Sequence, residues 1–226
     1  MATPKPQIIT IPCRLAFPEV FVPKSVNGGT AKYSLTMQFP KDGHPLVSNA
    51  PSLYPPTEKV VTVDGIRRML VIAAKEKWGD DRSKWPGVLR TMDWKSYFSP
   101  TGQDGWPLRD GDAHPEWQGY EGMCFVRASA AEYAPQVFDN MKNPITDQRA
   151  VYGGLICRAL INAFAYDNKG NRGVSLGFNG LQILANDGTV YGGGNAADAF
   201  GAYGDAGGGD PFDAGGGLPG NDDVPF

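Results

Sequence analysis

The sequence predicts a mainly β fold: a small antiparallel barrel with at least one helix and long loops, followed by a disordered C-terminal tail. Several short segments alternate apolar and polar residues at period two, and one helical segment interrupts them. Near residue 190 the composition changes abruptly to Gly and Asp, which cannot bury enough apolar surface to fold. We therefore expect one domain over residues 1–190 and a tail over residues 191–226.

The first elements are two strands and a helix. Residues 8–17 and 33–39 both alternate, and the predicted buried face of the first strand consists of Ile9, Ile11, Cys13, Leu15 and Phe17. Residues 64–78 show helical spacing of apolar positions, with Asp64 at the start and Gly79 after the end. This segment is the clearest helix in the chain.

Later elements follow a long irregular stretch. Residues 79–122, rich in Trp, Gly, Pro and Asp, predict excursions between strands rather than a second domain. Strands are then expected over these ranges: 123–131, 134–139, 151–166 and 173–185. A tight turn over residues 167–171 joins the last two.

Two late strands carry candidate binding residues. Phe125 and Arg127 alternate with small apolar residues, and one face of the 151–166 strand carries Tyr152, Arg158, Asn162, Phe164 and Tyr166. Rings stack on bases and guanidinium groups contact phosphates, so this pattern is typical of a single-strand reader. A strand packed beneath a loop explains it equally well, because Ile156 and Leu160 share that face. A β-bulge at Gly153-Gly154 would shift the alternation and so change the face on which Tyr152 lies.

Tryptophan is frequent, and some of these residues are expected in the core. Trp94 beside Lys95, with Tyr97 and Phe98 following, is the segment that best matches an exposed base-stacking patch.

Charge separates the two parts of the chain. Residues 191–226 contain six Asp and no Lys or Arg, which leaves 21 basic against 18 acidic groups in residues 1–190. An anion-binding body with an acidic competitor has this distribution. The first residues lack the apolar segment of a signal peptide, so we expect a cytoplasmic protein without a membrane anchor. Three scattered cysteines predict buried free thiols.

Residues 152–188, YGGLICRALINAFAYDNKGNRGVSLGFNGLQILANDG, resemble the signature of a family of bacteriophage single-stranded-DNA-binding proteins. The shared features are a Tyr-Gly start, an Arg-Ala-x-Ile-Asn strand with aromatic residues, a Gly-Asn-Arg-Gly turn and an Asn-x-x-Gln segment. Residues 107–112, PLRDGD, and Tyr120-x-Gly122 fit it too. The resemblance implies a non-catalytic oligonucleotide-binding (OB) fold that coats phage DNA in replication and recombination, without sequence preference.

The end of the sequence resembles the acidic tip of bacterial single-stranded-DNA-binding proteins. That resemblance implies recruitment of phage or host replication proteins through these residues: Asp222, Asp223, Val224, Pro225 and Phe226. Carboxylates attract basic grooves, and an aromatic ring fills a pocket between them.

Two other functions remain open. One is a virion or assembly protein with a flexible tether. The other is a Mg²⁺-dependent nuclease that uses Asp104, Asp110, Asp112 and Glu116, although Gly and Pro neighbours favour turn residues. No metal site is predicted, because the three scattered cysteines with only His44 and His114 form no zinc-ligand pattern. No nucleotide site is predicted either, because Gly192-Gly193-Gly194-Asn195 lacks the Lys-Ser/Thr of a phosphate loop. The sequence does not indicate an oligomeric state.

Overall fold

Residues 6–25, 28–47, 60–168 and 170–191 are described by a computed structural model. Within them lie nine strands, with these bounds: β1 Ile8–Thr10, β2 Cys13–Lys24, β3 Lys32–Pro40, β4 Val60–Val61, β5 Leu108–Asp110, β6 Met123–Ala130, β7 Gln136–Phe138, β8 Ile156–Asn168 and β9 Asn171–Ala185. One α-helix, α1, spans Val63–Trp78, and short 3₁₀ helices span Arg82–Lys84, Gly87–Arg90 and Gln148–Ala150. No helix in this part of the chain is both long and apolar enough to cross a membrane.

Five strands close into a ring. β2 pairs with β3, β3 with β6, β6 with β9, β9 with β8, and β8 returns to β2. This confirms the mainly β, OB-like prediction. One strand pairing differs from the predicted antiparallel barrel, because β6 and β9 run parallel. The reason is topological: β9 returns from the β8 hairpin and closes the ring against β6.

The interior of the ring is apolar. Alternation in β6 and β8 points the small residues inward, so Val126, Cys157, Ala159 and Ile161 are all fully buried. All three cysteines are buried thiols, as predicted, and the Cys13 and Cys157 sulfur atoms lie 3.7 Å apart on paired strands. Each large apolar side chain buried here contributes about 1.5–3 kcal/mol.

Helix α1 matches its prediction to within one residue. Thr62 caps it by accepting from the Gly65 amide, and Gly79, at φ 83°, donates to the Lys75 carbonyl after the last turn. Its inward face includes one charged residue, Arg67, whose guanidinium donates to the Trp94 and Tyr97 carbonyls at 2.9 Å each. Burial lowers the pKa of Arg67. The helix therefore fixes the 94–97 segment against the ring.

The predicted first strand is wrong in two details. It is divided into β1 and β2, and its alternation fails at Phe17, which is 68% exposed while Cys13 and Leu15 are fully buried. The register with β3 advances from Ala16↔Thr36 to Glu19↔Ser34, so Phe17 and Pro18 lie opposite a single residue. This β-bulge turns the Phe17 ring away from the core.

The irregular segment between α1 and β6 packs onto the same core. Trp85 and Trp106 are almost fully buried, which agrees with an excursion rather than a second domain. A smaller apolar cluster, of Ala16, Tyr120 and Phe125, forms on the outer face of the ring. Tyr191, assigned by sequence to the tail, packs against this cluster and donates to the Gly119 carbonyl at 3.2 Å.

Candidate nucleic-acid interface

A groove of about 420 Å³ crosses the outer face of β3, β6 and the start of β9, and is called the main groove below. Its polar and aromatic lining includes Phe17, Thr36, Arg109, Trp117, Phe125, Arg127, Ser129 and Ser175. Among the described residues, two guanidinium groups line it and no carboxylate does. In OB folds, the face of the second and third barrel strands is the common oligonucleotide surface, and β3 and β6 occupy those places here.

Arg109 lies on a platform of rings. β5 places it opposite Phe125 of β6, with its guanidinium carbon 4.9 Å from the Phe125 ring centre and 5.5 Å from that of Trp117. It donates to His114 Nε2 at 2.6 Å, and His114 stacks on Trp117 at 3.8 Å and 5°. Cation–π contacts hold a guanidinium in place without neutralising its charge.

Arg127 is the second cation of the main groove. It is exposed on β6, and its Nη2 donates to Ser34 Oγ at 2.8 Å across the β3 pairing. In the described part of the chain, neither Arg109 nor Arg127 has a carboxylate within ion-pair distance. Both are therefore able to bind an external anion without breaking an ion pair.

Phe125, predicted as a stacking residue, is one of the two rings that the Arg109 guanidinium contacts. Only 5% of it is exposed, since Tyr120 and Trp117 pack edge-on against its ring. Burial raises the pKa of Tyr120 to about 12, so its hydroxyl stays neutral. In this structure Phe125 is covered by its neighbours, whereas Trp117 is half-buried, with His114 stacked on its ring.

A second groove, called the side groove, adjoins the first at Ser129. Its lining includes three residues from the predicted faces or strand ends: Lys32, Asn162 and Phe164. Asn162 accepts a hydrogen bond from the Asn179 amide at 2.9 Å. Gly177 lies opposite Asn162 in the β8–β9 register, and any side chain there would collide with the Asn162 amide. The absence of a side chain at Gly177 therefore leaves room for the Asn162 amide.

Arg158 lies further along the same face of β8. It lines a third cavity, which shares Asn179 with the side groove, but is only 7% exposed. Its Nε donates to Gln182 Oε1 at 2.8 Å, and the Gln182 amide donates to the Asp139 carbonyl at 2.9 Å. Arg158, Asn162 and Phe164 thus share one face as predicted, with Arg158 covered and the other two partly exposed.

Two predicted tyrosines lie outside both grooves. Tyr152 precedes β8, which begins at Ile156, so the predicted strand face does not include it; its hydroxyl accepts from the Asn186 amide at 2.7 Å. Gly154, at φ 107°, interrupts the alternation between them. Tyr166 is half-buried opposite Gly173, and burial, with the nearby Asp104 charge, raises its pKa.

Trp94 and Lys95 belong to a different part of the surface. Trp94 packs against the main core, and Lys95 lines a cavity beside α1 with Lys41, Arg67 and Phe98. The Lys95 ammonium lies 5.9 Å from the Trp94 ring centre. Neither residue lines the main or the side groove.

The candidate nuclease carboxylates are engaged in hydrogen bonds. Lys41 bridges Asp110 and Asp112, and Asp104 accepts from the Tyr97 hydroxyl at 2.5 Å. Among the residues that the structure describes, no group of three or more His, Cys, Asp or Glu is placed to hold a metal ion. The tail residues Asp222, Asp223, Val224, Pro225 and Phe226 lie outside the described residues.

Sequence reasoning missed the cation Arg109 and the rings of Trp117 and Phe17 in the main groove. Arg109 belongs to the PLRDGD motif, which pointed only to the family resemblance, and no local pattern distinguishes Trp117 from the other tryptophans. Phe17 was assigned to the core. The pairing of β5 with β6 places Arg109 in the groove, the bulge in β2 places Phe17 there, and Trp117 is held by ring contacts with Phe125 and His114.

Comparison with known proteins identifies relatives of the whole body. The sequence profile of a family described as "Enterobacter phage Enc34, ssDNA-binding protein" matches residues 6–209. Protein p50 of Acyrthosiphon pisum secondary endosymbiont phage 1 is 32% identical over 187 residues, which cover 81% of this chain and 85% of that protein.

Two solved structures share the fold. The single-stranded-DNA-binding protein of bacteriophage Enc34 in complex with ssDNA has a TM-score of 0.57 at 18% identity, covering 82% of this chain and 89% of that one. The gp2.5 protein of bacteriophage T7, also a single-stranded-DNA-binding protein, has a TM-score of 0.51 at 11% identity, covering 89% and 98%. At these identities the likeness shows the fold.

Proposed function

The chain belongs to the phage Enc34 single-stranded-DNA-binding protein family, and from this premise we propose that it binds single-stranded DNA, without sequence preference, in phage DNA replication or recombination. One observation carries the proposal: on the face that OB folds use, the main groove contains two guanidinium groups that have no carboxylate partner among the described residues. They share the groove with the exposed ring of Phe17 and the half-buried ring of Trp117.

The chemistry of the groove suits an unpaired strand. Arg109 and Arg127 supply charge-assisted hydrogen bonds to phosphates, and Trp117 offers a ring face to a base. Stacking tolerates every base, because each has a π-face. Hydroxyl groups of Thr36, Ser129 and Ser175 line the floor between them and are able to donate to phosphate oxygens.

The side groove offers a continuation of this path. It joins the main groove at Ser129, and its lining includes the Asn162 amide and the Phe164 ring. It adds one exposed cation, Lys32, and one exposed carboxylate, Glu132. A strand that follows both grooves runs across β6 onto β9 and β8. Arg158 supports the far end of this surface through Gln182.

The proposal is tested by titrating the full chain with a fluorescently labelled oligo-dT and with duplex DNA and RNA of equal length, over a range of salt concentrations. We expect binding to oligo-dT in preference to duplex, with affinity that falls as salt rises, by about 0.7 log units per log unit of salt for each phosphate contacted. Equal affinity for duplex, or no dependence on salt, would contradict the proposal. Tight binding would also exclude a tether as the main role.

We further propose that the protein is not a nuclease and acts in the host cytoplasm. Lys41 already forms ion pairs with both Asp110 and Asp112, which disfavours a two-metal centre there. Oligo-dT incubated with the protein and Mg²⁺ is expected to stay intact on a denaturing gel, and cleavage that Asp110→Ala abolishes would refute this.

The acidic tail is proposed to regulate binding and to recruit replication proteins. Its six Asp and absence of Lys or Arg make it complementary to a groove with two cations and no carboxylate. Competition between tail and DNA predicts tighter binding when residues 192–226 are removed.

A further inference from the structure

Phe17 is the most exposed aromatic side chain of the main groove. It lies in the β2 bulge, where two residues of β2 face one of β3, and 68% of it is exposed. The neighbouring Ala16 is buried under Tyr120 and Phe125, so the backbone at this point is firmly packed while the Phe17 ring faces solvent.

The backbone at Phe17 is in a conformation that bulky residues rarely adopt. Its φ is +45°, in the left-handed region. A residue before proline is ordinarily extended, yet Phe17 precedes Pro18. Regular alternation would instead bury this ring beside Cys13 and Leu15. The fold therefore gives up the burial of a phenyl ring and holds a strained residue to keep that ring in the groove.

Strain and apolar exposure at the same residue are characteristic of binding sites, where the surrounding structure holds a side chain ready for a ligand. Phe17 shares the main groove with Arg109, Arg127 and Trp117. A ring beside two unpaired guanidinium groups matches the combination by which proteins hold an unpaired nucleotide: a base on the ring and a phosphate on the cation.

We propose that Phe17 is a base-stacking residue of the main groove, with an unpaired nucleobase as its ligand. The inference rests on the proposed function, and it assigns a specific contact to a residue that sequence alternation places in the core. In this proposal, the β2 bulge is the feature of the backbone that places the Phe17 ring in the groove.

The test separates the ring from the strained backbone. Phe17→Asn removes the ring and keeps a residue that tolerates positive φ, whereas Phe17→Tyr keeps a ring. Val22→Ala is the matched control, because Val22 is another exposed apolar residue of β2 and does not line the groove. Each variant is titrated with oligo-dT over a range of salt concentrations, and its thermal unfolding is measured.

We expect Phe17→Asn to weaken binding about 5- to 140-fold, with an unchanged slope against salt, since loss of a stacked base releases no additional counterions. Its melting temperature should equal or exceed that of the unchanged protein, because Asn relieves backbone strain. Phe17→Tyr and Val22→Ala should bind as the unchanged protein does.

The outcomes distinguish the inference from the proposed function. If the unchanged protein binds oligo-dT and Phe17→Asn binds it equally well, the stacking role is wrong while the function stands. If the unchanged protein does not bind oligo-dT, the proposed function itself fails.

Discussion

Replacing Arg127 with Ala tests the main groove most directly. Arg127 is exposed, has no carboxylate partner among the described residues, and makes one side-chain hydrogen bond, to Ser34. Ser34 is buried, so loss of this part-buried hydrogen bond should lower the free energy of unfolding by about 1–3 kcal/mol, which is less than the stability of a typical domain. The substitution therefore removes a proposed phosphate contact and leaves the fold in place.

The expected loss in DNA affinity follows from the chemistry of the contact. A hydrogen bond between a guanidinium and a phosphate contributes about 1.5–3 kcal/mol, which corresponds to binding about 10- to 140-fold weaker. Each phosphate contact to a single strand contributes about 0.7 to the slope of log affinity against log salt. Arg127→Ala should therefore flatten that slope by about 0.7 and weaken binding most at low salt.

The assay is fluorescence anisotropy of a labelled oligo-dT, titrated at several salt concentrations with each variant. Arg149→Ala is the matched control. It removes the same charge from the 3₁₀ helix Gln148–Ala150, where Arg149 is paired with Asp147, outside both grooves. If Arg149→Ala flattens the slope as much as Arg127→Ala does, binding depends on overall charge and the groove assignment is refuted.

Three further predictions follow from the same structure. Trp117→Ala should weaken oligo-dT binding about 5- to 140-fold with little change in salt slope, and unaltered affinity in the anisotropy assay would exclude Trp117 as a stacking ring. Removal of residues 192–226, which retains the packed Tyr191, should tighten binding most at low salt; a truncated chain that binds no better would refute competition by the tail. Asp187→Asn should lower the free energy of unfolding in urea by up to about 1 kcal/mol at pH 7, because it breaks the two-bond pair with Arg14. Arg14 holds the pKa of Asp187 well below its usual range, so this stabilisation is complete above about pH 4 and fades as pH falls further; an equal deficit at pH 3 and pH 7 would contradict the pairing.

Local patterns in the sequence determined much of the fold. Period-two alternation placed β3, β6 and β9 to within a few residues, because inward and outward side chains must alternate on a strand that faces a core. Thr62, Asp64 and Gly79 lie at the ends of α1, where capping chemistry is local. The face that carries Arg158, Asn162 and Phe164 was also readable from alternation alone.

Tertiary structure decided which residues form the groove. Arg109 reaches the sheet because β5 pairs with β6, and Trp117 reaches it because its ring packs against Phe125; no local pattern encodes either contact. Burial likewise divided the predicted residues: Phe125 and Arg158 are covered by neighbours distant in sequence, while Arg127 stays exposed.

The sequence by itself determined the family, the mainly β fold and the acidic composition of the tail, because these depend on motifs, periodicity and charge, which are properties of contiguous residues. The tertiary structure decided the register between paired strands and which side chains remain accessible to solvent. A bulge of one extra residue moved Phe17 from a predicted core position to the groove, since in a period-two strand a single added residue exchanges inside for outside.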